Sequence, residues 1–145
     1  PICRAALRVE LAALLPANRA VTWEIGSGHG HFLVQYAQAF PEKFCVGVDI
    51  IRDRLNRSGK KRDRAKLTNC HFVQAEAREF FDALPAGVTL QEVWVLFPDP
   101  WPKARHAKRR MMNDGPLRLI AAKLTPMFTS AASAPKKVQR KPLTR

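Results

Sequence analysis

Short apolar runs alternate with amphipathic stretches along most of the chain, and turn residues separate them. Apolar runs of this length, bounded by glycine, proline or acidic residues, are typical of buried strands. This pattern predicts strands at residues 21–25, 44–50, 69–75 and 92–97.

The stretches between these runs predict helices at residues 4–15, 31–40, 76–84 and 111–124, the last beginning near Pro116. The first helix has a leucine face that ends at Pro16. The second is predicted to place Phe32, Leu33, Tyr36, Ala37 and Phe40 on one face. Residues 52–66 form a strongly basic stretch to which no element is assigned.

Strands that alternate with helices at this spacing predict an α/β fold, a parallel sheet with helices on its faces. From Thr125 the apolar periodicity stops, and the last residues are rich in Lys, Arg and Pro. We therefore expect one domain over residues 1–124, followed by a basic disordered tail over 125–145. The chain opens on Pro1 rather than Met, and we expect it to begin inside a longer reading frame.

The charge balance narrows the class of partner. Lys and Arg together number 25 against 12 Asp and Glu, a formal net charge of +13. A surplus of this size indicates an anionic partner, nucleic acid first, with a membrane surface or the ribosome as alternatives. Cys45 and Cys70 lie inside apolar runs and Cys3 stands apart, so we expect reduced thiols and no zinc site. We recognise neither a signal peptide nor a membrane span.

The first candidate site is the sequence EIGSGHG, which follows the first predicted strand. Ligands of open α/β sheets bind beyond the carboxyl ends of the strands. Gly26, Gly28 and Gly30 permit positive φ and a close approach of ligand to backbone. Asp49 ends the second predicted strand, where a carboxylate can bind both hydroxyls of a ribose. Glu24, just before the turn, would repel a pyrophosphate and suit a cationic ligand such as S-adenosylmethionine.

Two other interpretations of this turn stay open, a nicotinamide cofactor and a purely structural strand-turn-helix. The dinucleotide pattern is weakened because His31 stands where its third glycine belongs. His29 and His31 form an H-x-H pair, but without a third ligand we expect no metal. Glu76 follows the third predicted strand, where it could meet the adenine side of the cofactor or simply begin a helix.

The second candidate site is LFPDPWPK, which follows the fourth predicted strand. Pro98 and Pro100 hold Asp99 rigidly, so it could meet an incoming base without reorganisation. Trp101 offers a stacking surface. The cations after it suit a phosphate backbone; they are Lys103, Arg105, Lys108, Arg109 and Arg110.

Together, EIGSGHG, GVDI and FPDPWPKARHAKRR resemble the bacterial tRNA (guanine-N7)-methyltransferase family. The resemblance implies a Rossmann-like class I methyltransferase fold. It also implies methyl transfer from S-adenosylmethionine to N7 of a guanosine, position 46 in the family, in the tRNA variable loop. It places cofactor contacts on Glu24, Asp49, Glu76 and Asp99, to which the glycine turn adds Gly26 and Gly28. The resemblance also makes Asp99 the catalytic residue and Lys103 a substrate contact, and the chemistry of the segment adds Trp101 and Arg105 as substrate contacts.

The resemblance ends after the last predicted helix. The family continues with a Gly-Gly turn, a fifth strand and a Thr-x-x-Glu segment, which LTPMFTSAASAP replaces here. We therefore expect the C-terminal strands to be missing, the sheet edge to be open to weak dimerisation, and catalysis by this chain to be poor. A non-catalytic remnant that binds RNA or cofactor, and a methyltransferase for another substrate, are the alternatives. Either way, we expect a cytoplasmic protein, monomeric or weakly dimeric, with no membrane or metal partner.

Overall fold

The computed structural model describes residues 3–15, 17–96 and 114–124. Helices and strands alternate along the chain, as the sequence pattern predicts. In chain order they are α1 (Arg4–Leu14), β1 (Ala20–Ile25), α2 (His31–Ala39), β2 (Phe44–Asp49), α3 (Arg52–Arg64), β3 (Cys70–Gln74), α4 (Ala77–Ala83), β4 (Thr89–Trp94) and α5 (Asp114–Lys123).

The four strands form one sheet in the order β3-β2-β1-β4, and every pair is parallel. The two strands that precede the candidate sites, β1 and β4, therefore lie side by side. Along β1, Glu24 is in register with Gly47 of β2 and with Trp94 of β4. At the outer edge of β4, Leu90 forms an isolated parallel bridge with Leu124, just after α5.

Helices cover both faces of the sheet, which confirms the predicted fold class. On one face, α1, α4 and α5 pack over a core in which Trp23 and Phe80 are fully buried, with ring centroids 4.8 Å apart. On the other face, α2 and α3 pack over a smaller cluster that contains Cys45 and Cys70. Burial raises the pKa of Cys45 to about 11 and that of Cys70 to about 12, so both are inert thiols at neutral pH.

Three details of the sequence prediction were wrong. Residues 52–64 form a full helix, α3, where no element had been assigned. Strand β4 begins at Thr89 and ends at Trp94, so it lies a few residues earlier than predicted. In α2, Val34 is buried with Leu33 and Ala37, whereas Phe40 at its end is 40% exposed. The aromatic side chains of α2 instead turn toward Trp94, which lies 5.3 Å from Phe32 between ring centroids.

The predicted tail, residues 125–145, lies outside the described residues, and the domain boundary at residue 124 stays a prediction. No helix within the described part of the chain is long and apolar enough to cross a bilayer.

Candidate cofactor site

Two carboxylates end the two central strands and lie almost fully inside the protein. Glu24 at the end of β1 is 3% exposed, and Asp49 at the end of β2 is 6% exposed. Backbone amides hold Asp49: Gly28 N–H donates to Oδ2 at 3.0 Å and Ile51 N–H donates to Oδ1 at 2.9 Å. Arg54 Nη1 lies 3.8 Å from the same Oδ2. The Asp49 carboxylate therefore fixes the turn that follows β1 as well as the start of α3.

Glu24 has no such support. Its Oε2 is buried and has no hydrogen-bond partner among the described residues. Burial, and then the negative charge of Asp49, raise the pKa of Glu24 to about 7. A buried acceptor of this kind is costly to leave unpaired, so it is poised to accept hydrogen bonds from, or pair with the charge of, a cationic ligand.

The turn between β1 and α2 is built on the backbone. Gly26 N–H and Ser27 N–H both donate to the carbonyl of Val48 in β2, at 2.8 and 3.0 Å. Gly26, Gly28 and Gly30 all have φ between 55° and 69°, the left-handed region that favours glycine. The turn is therefore tied to the neighbouring strand and not to α2 alone.

The three glycines differ in what surrounds them. A Cβ on Gly26 or Gly28 would meet no atom of the described residues within 4 Å, so open space lies over both. A Cβ on Gly30 would lie 2.7 Å from Ser58 Cβ and 2.8 Å from Phe72 Cζ. Gly26 and Gly28 therefore leave room for a ligand, whereas Gly30 lets α3 and β3 pack against the turn.

Ser58 of α3 contacts the glycine turn between β1 and α2. It is fully buried, and its hydroxyl lies 3.1 Å from the carbonyl of Gly28 and 2.9 Å from that of Arg54. A small side chain at this position lets the helix approach the turn closely. This contact could not be predicted from the sequence, where residues 52–66 stand out only by their charge.

The structure brings together four of the predicted site residues, Glu24, Gly26, Gly28 and Asp49. Glu76 is exposed at the N-cap position of α4 and makes no side-chain capping bond, so its proposed contact with a cofactor stays a prediction. Asp99, Trp101, Lys103 and Arg105 lie outside the described residues, and their roles also stay predictions.

One feature of the site was missed in the sequence. The basic stretch forms α3, and its last two turns face His29 and His31 across an open groove. Lys61 Nζ donates to the carbonyl of His29 at 2.8 Å and lies 2.8 Å from His31 Nε2. An ammonium at that distance opposes a metal ion on the H-x-H pair, and the described residues contain no group of three or more metal-ligating side chains. The sequence signal for this helix is the spacing of its cations, which recur every three or four residues.

This arrangement combines a buried, unpaired carboxylate with open space over two glycines and a carboxylate held by backbone amides. A ligand that lies over Gly26 and Gly28 would present its cationic group to Glu24. The site therefore fits a small cationic ligand that approaches the backbone closely. The amides of Gly26, Ser27 and Gly28 already donate to protein acceptors, so they are not free to hold a phosphate.

Comparisons with known proteins agree with this fold. Residues 18–128 match the family model Methyltransf_4, whose description is "Putative methyltransferase". The tRNA (guanine-N(7)-)-methyltransferase of Sphingopyxis alaskensis is 40% identical over 114 residues, 75% of this chain and 48% of that protein. The protein of the same name from Syntrophotalea carbinolica is 34% identical over 81% of this chain and 50% of its own length. The chain thus spans about half the length of the curated relatives it matches.

Solved structures support the fold. The precorrin-6y C5,15-methyltransferase of Geobacter metallireducens has a TM-score of 0.55 at 17% identity, covering 84% of this chain and 56% of its own. A SAM-dependent methyltransferase from Thiobacillus denitrificans, solved with S-adenosyl-L-homocysteine, has a TM-score of 0.51 at 15% identity, covering 83% and 44%. The family match covers more than half of the chain, and the fold agrees with it. The chain belongs to the Methyltransf_4 family of methyltransferases.

Proposed function

We propose that this protein transfers a methyl group from S-adenosylmethionine to N7 of a guanosine in tRNA. The observation that carries the proposal is the 34–40% identity to proteins named tRNA (guanine-N(7)-)-methyltransferase, which extends over three quarters or more of the chain. The basic composition and the FPDPWPKARHAKRR segment support an RNA substrate.

The described half of the site supports S-adenosylmethionine as the methyl donor. The donor supplies a methyl group on a positively charged sulfur, together with an amino-acid amine and a ribose. Glu24 is buried beside the open turn and would attract the cationic end of the donor. Asp49 lies at the end of the next strand, within reach of the ribose hydroxyls that such strand-end carboxylates bind. Gly26 and Gly28 would let the donor rest on the backbone.

The reaction requires little acid–base catalysis by the protein. Guanine N7 has a free lone pair, so no base is needed to expose it. The protein has to align N7 with the methyl carbon and the sulfur, and to favour the positive charge that forms on the purine. We assign that second task to Asp99, which would accept hydrogen bonds from the Watson–Crick edge of the guanine. Its neighbour Trp101 would stack on a base, while Lys103 and Arg105 would bind phosphate.

The two alternative functions differ in the activity that they assign to the protein. A remnant would bind donor or RNA without transferring a methyl group, and a methyltransferase for another substrate would act on proteins or small molecules. The cations that follow Asp99 favour RNA over both of these substrates. The cytoplasm, where tRNA is abundant, is the compartment we propose, with a monomer or weak dimer as the working state.

The test is methyl transfer from radiolabelled S-adenosylmethionine to an unmodified tRNA transcript. We expect labelled tRNA, and no label on a transcript whose variable-loop guanosine is replaced by 7-deazaguanosine, which lacks N7. Asp99→Asn should abolish turnover and retain most tRNA binding, while Asp53→Asn, on the exposed surface of α3, should be active. Equal labelling of the 7-deaza transcript would contradict the proposal. Absence of label with every tRNA, in both this chain and a version extended to the length of its relatives, would favour a remnant.

A further inference from the structure

The face of α3 that looks toward the glycine turn is lined with cations. Arg57, Lys60, Lys61 and Arg64 follow the spacing i, i+3, i+4 and i+7, which places them on one side of a helix. Together with His29 and His31 they line an open groove of about 400 Å³. No acidic side chain is among the residues that line it, within the described ranges. We call this the α3 groove.

The cations of the α3 groove are only partly neutralised. Asp53 lies 3.0 Å from Arg57 through an exposed pair, and Asp63 pairs with Arg62, which does not line the groove. Exposed pairs of this kind are weak and easily exchanged. Like charges three or four residues apart on a helix repel each other and destabilise it. Four cations are therefore held together against their repulsion, which is the arrangement expected where an anion binds.

Part of the α3 groove is fixed in place. Lys61 Nζ donates to the carbonyl of His29 and lies against the ring of His31, so it ties the helix to the turn. Lys60 and Arg64 are exposed, and Arg57 keeps 61% of its side chain exposed. An entering anion would thus meet one positioned ammonium and three exposed cationic side chains, as well as two imidazoles that can donate or accept hydrogen bonds.

We propose that the α3 groove binds consecutive phosphates of an RNA backbone and guides the strand past the glycine turn. The concave shape and the regular spacing of point charges suit a phosphodiester chain. An anionic membrane is disfavoured, because surface-binding helices carry apolar side chains beside their cations and no large apolar side chain of the described residues lines this groove. That the RNA is tRNA rests on the proposed function; the affinity of the groove for RNA phosphates does not.

The test removes the three exposed cations of the groove and keeps Lys61, whose hydrogen bond to the carbonyl of His29 has a structural role. In the whole chain, Arg57→Ala, Lys60→Ala and Arg64→Ala are combined. The matched control combines Arg4→Ala, Arg8→Ala and Arg78→Ala, which removes equal charge from α1 and α4 on the opposite face of the sheet. Binding of an unmodified tRNA transcript is measured by fluorescence anisotropy at several salt concentrations, after circular dichroism has checked the fold of each variant.

We expect the groove variant to bind tRNA roughly ten- to a hundredfold more weakly near 0.1 M salt. Log affinity decreases linearly with log salt, and the steepness of this decrease should be smaller by about two in the groove variant. Each lost phosphate contact accounts for somewhat less than one unit of slope. The control should change the slope by less than half as much. Equal changes in the two variants would overturn the proposal, because net charge alone would then explain the binding. A second variant, Lys60→Glu with Arg64→Glu, should weaken binding further, and unchanged binding there would also overturn the proposal.

Two further measurements separate this inference from the proposed function. If the chain transfers no methyl group but the groove variant still loses RNA affinity selectively, the groove stands and the proposed activity fails. If methyl transfer to tRNA occurs at the same KM in both variants, the activity stands and the groove proposal fails.

Vesicles that contain phosphatidylserine are the last arm. Groove-dependent binding to vesicles, with no groove-dependent binding to RNA, would overturn the proposal in favour of a lipid surface.

Discussion

Burial of Glu24 at the end of β1 couples the stability of the fold to pH. The pKa of Glu24 is raised from 4.5 to about 7, first by burial and then by Asp49. Between those values the folded chain keeps a proton that the unfolded chain has lost. The free energy of unfolding should therefore fall as pH rises from about 4.5 to about 7 and level off above, by about 3 kcal/mol in total, since one pKa unit is about 1.4 kcal/mol.

Urea unfolding of wild type and Glu24→Gln between pH 4.5 and pH 8 measures this contribution as the difference between the two curves. We expect the variant to be the more stable of the two near pH 8, because it carries no buried charge. Affinity for the cationic donor should move in the opposite direction, rising with pH through about 7 in the wild type and staying flat in the variant. Parallel curves for the two proteins would show that Glu24 ionises normally.

The role of the second carboxylate, Asp49, can be tested by substitution. Asp49→Ala removes the acceptor of Gly28 N–H and Ile51 N–H along with the expected ribose contact. Hydrogen bonds to a charged group contribute about 1.5–3 kcal/mol, so calorimetry should show S-adenosylmethionine binding roughly ten- to a hundredfold more weakly. Asp49→Glu, which keeps the carboxylate, should retain most of the affinity. The control is Asp53→Ala on the exposed side of α3. Unchanged affinity in Asp49→Ala would remove this residue from the site.

At the scale of elements, the glycine turn separates two roles that the sequence shows as one pattern. Gly30→Ala would force a positive φ on alanine and push Cβ to within 2.7 Å of Ser58 Cβ. Strain and overpacking together should lower the free energy of unfolding by about 2–5 kcal/mol. Gly26→Ala has similar φ but open space, so about 1–2 kcal/mol is expected there, with a larger effect on donor affinity. Chemical denaturation and calorimetry distinguish the two. The same loss of stability in both variants would contradict this division.

Elements with an apolar pattern were predicted well, and α3 was not. Strands β1, β2 and β3 and helices α1, α2 and α4 appear within a residue or two of their predicted bounds. The central strands β1 and β2 are buried over five consecutive residues and so stand out as short apolar runs, while the buried side chains of the helices recur with the helical period. In α3 only Leu55 and Ser58 are buried, so apolar periodicity is missing. Its remaining signals were an acid in the first turn, Asp53, and bases in the last, which suit the helix dipole.

For the site, the strand-end acids could be predicted because a parallel sheet brings the carboxyl ends of its strands to one edge. Two features of the site could not be predicted from the sequence: the backbone amides that hold Asp49, and the absence of a partner for Glu24 among the described residues. They depend on where Gly28 and Ile51 come to lie in three dimensions. The same holds for Lys61, whose contact with His29 joins residues far apart in the chain.

At the scale of the whole molecule, the net charge of +13 should oppose compaction. Raising sodium chloride from about 10 to about 200 mM shortens the screening length from about 30 to below 10 Å. We therefore expect the thermal unfolding midpoint to rise with salt over this range and to rise further when tRNA is added at low salt, by mass action. A midpoint that falls with added chloride would show that ion pairs, and not repulsion, dominate the electrostatics of the fold.

The position of the site within one β-α-β unit has a consequence for how the protein folds. Glu24, the glycine turn and Asp49 all lie between the start of β1 and the end of β2, whereas β4 reaches β1 only after α3, β3 and α4. Closing the shorter loop loses less chain entropy, so pairing of β1 with β2 should precede docking of β4. Mutations at Val46 should then slow folding, while mutations at Leu90 should mainly speed unfolding. Of the whole sheet, the segment that carries the site would be the first to form as the chain leaves the ribosome.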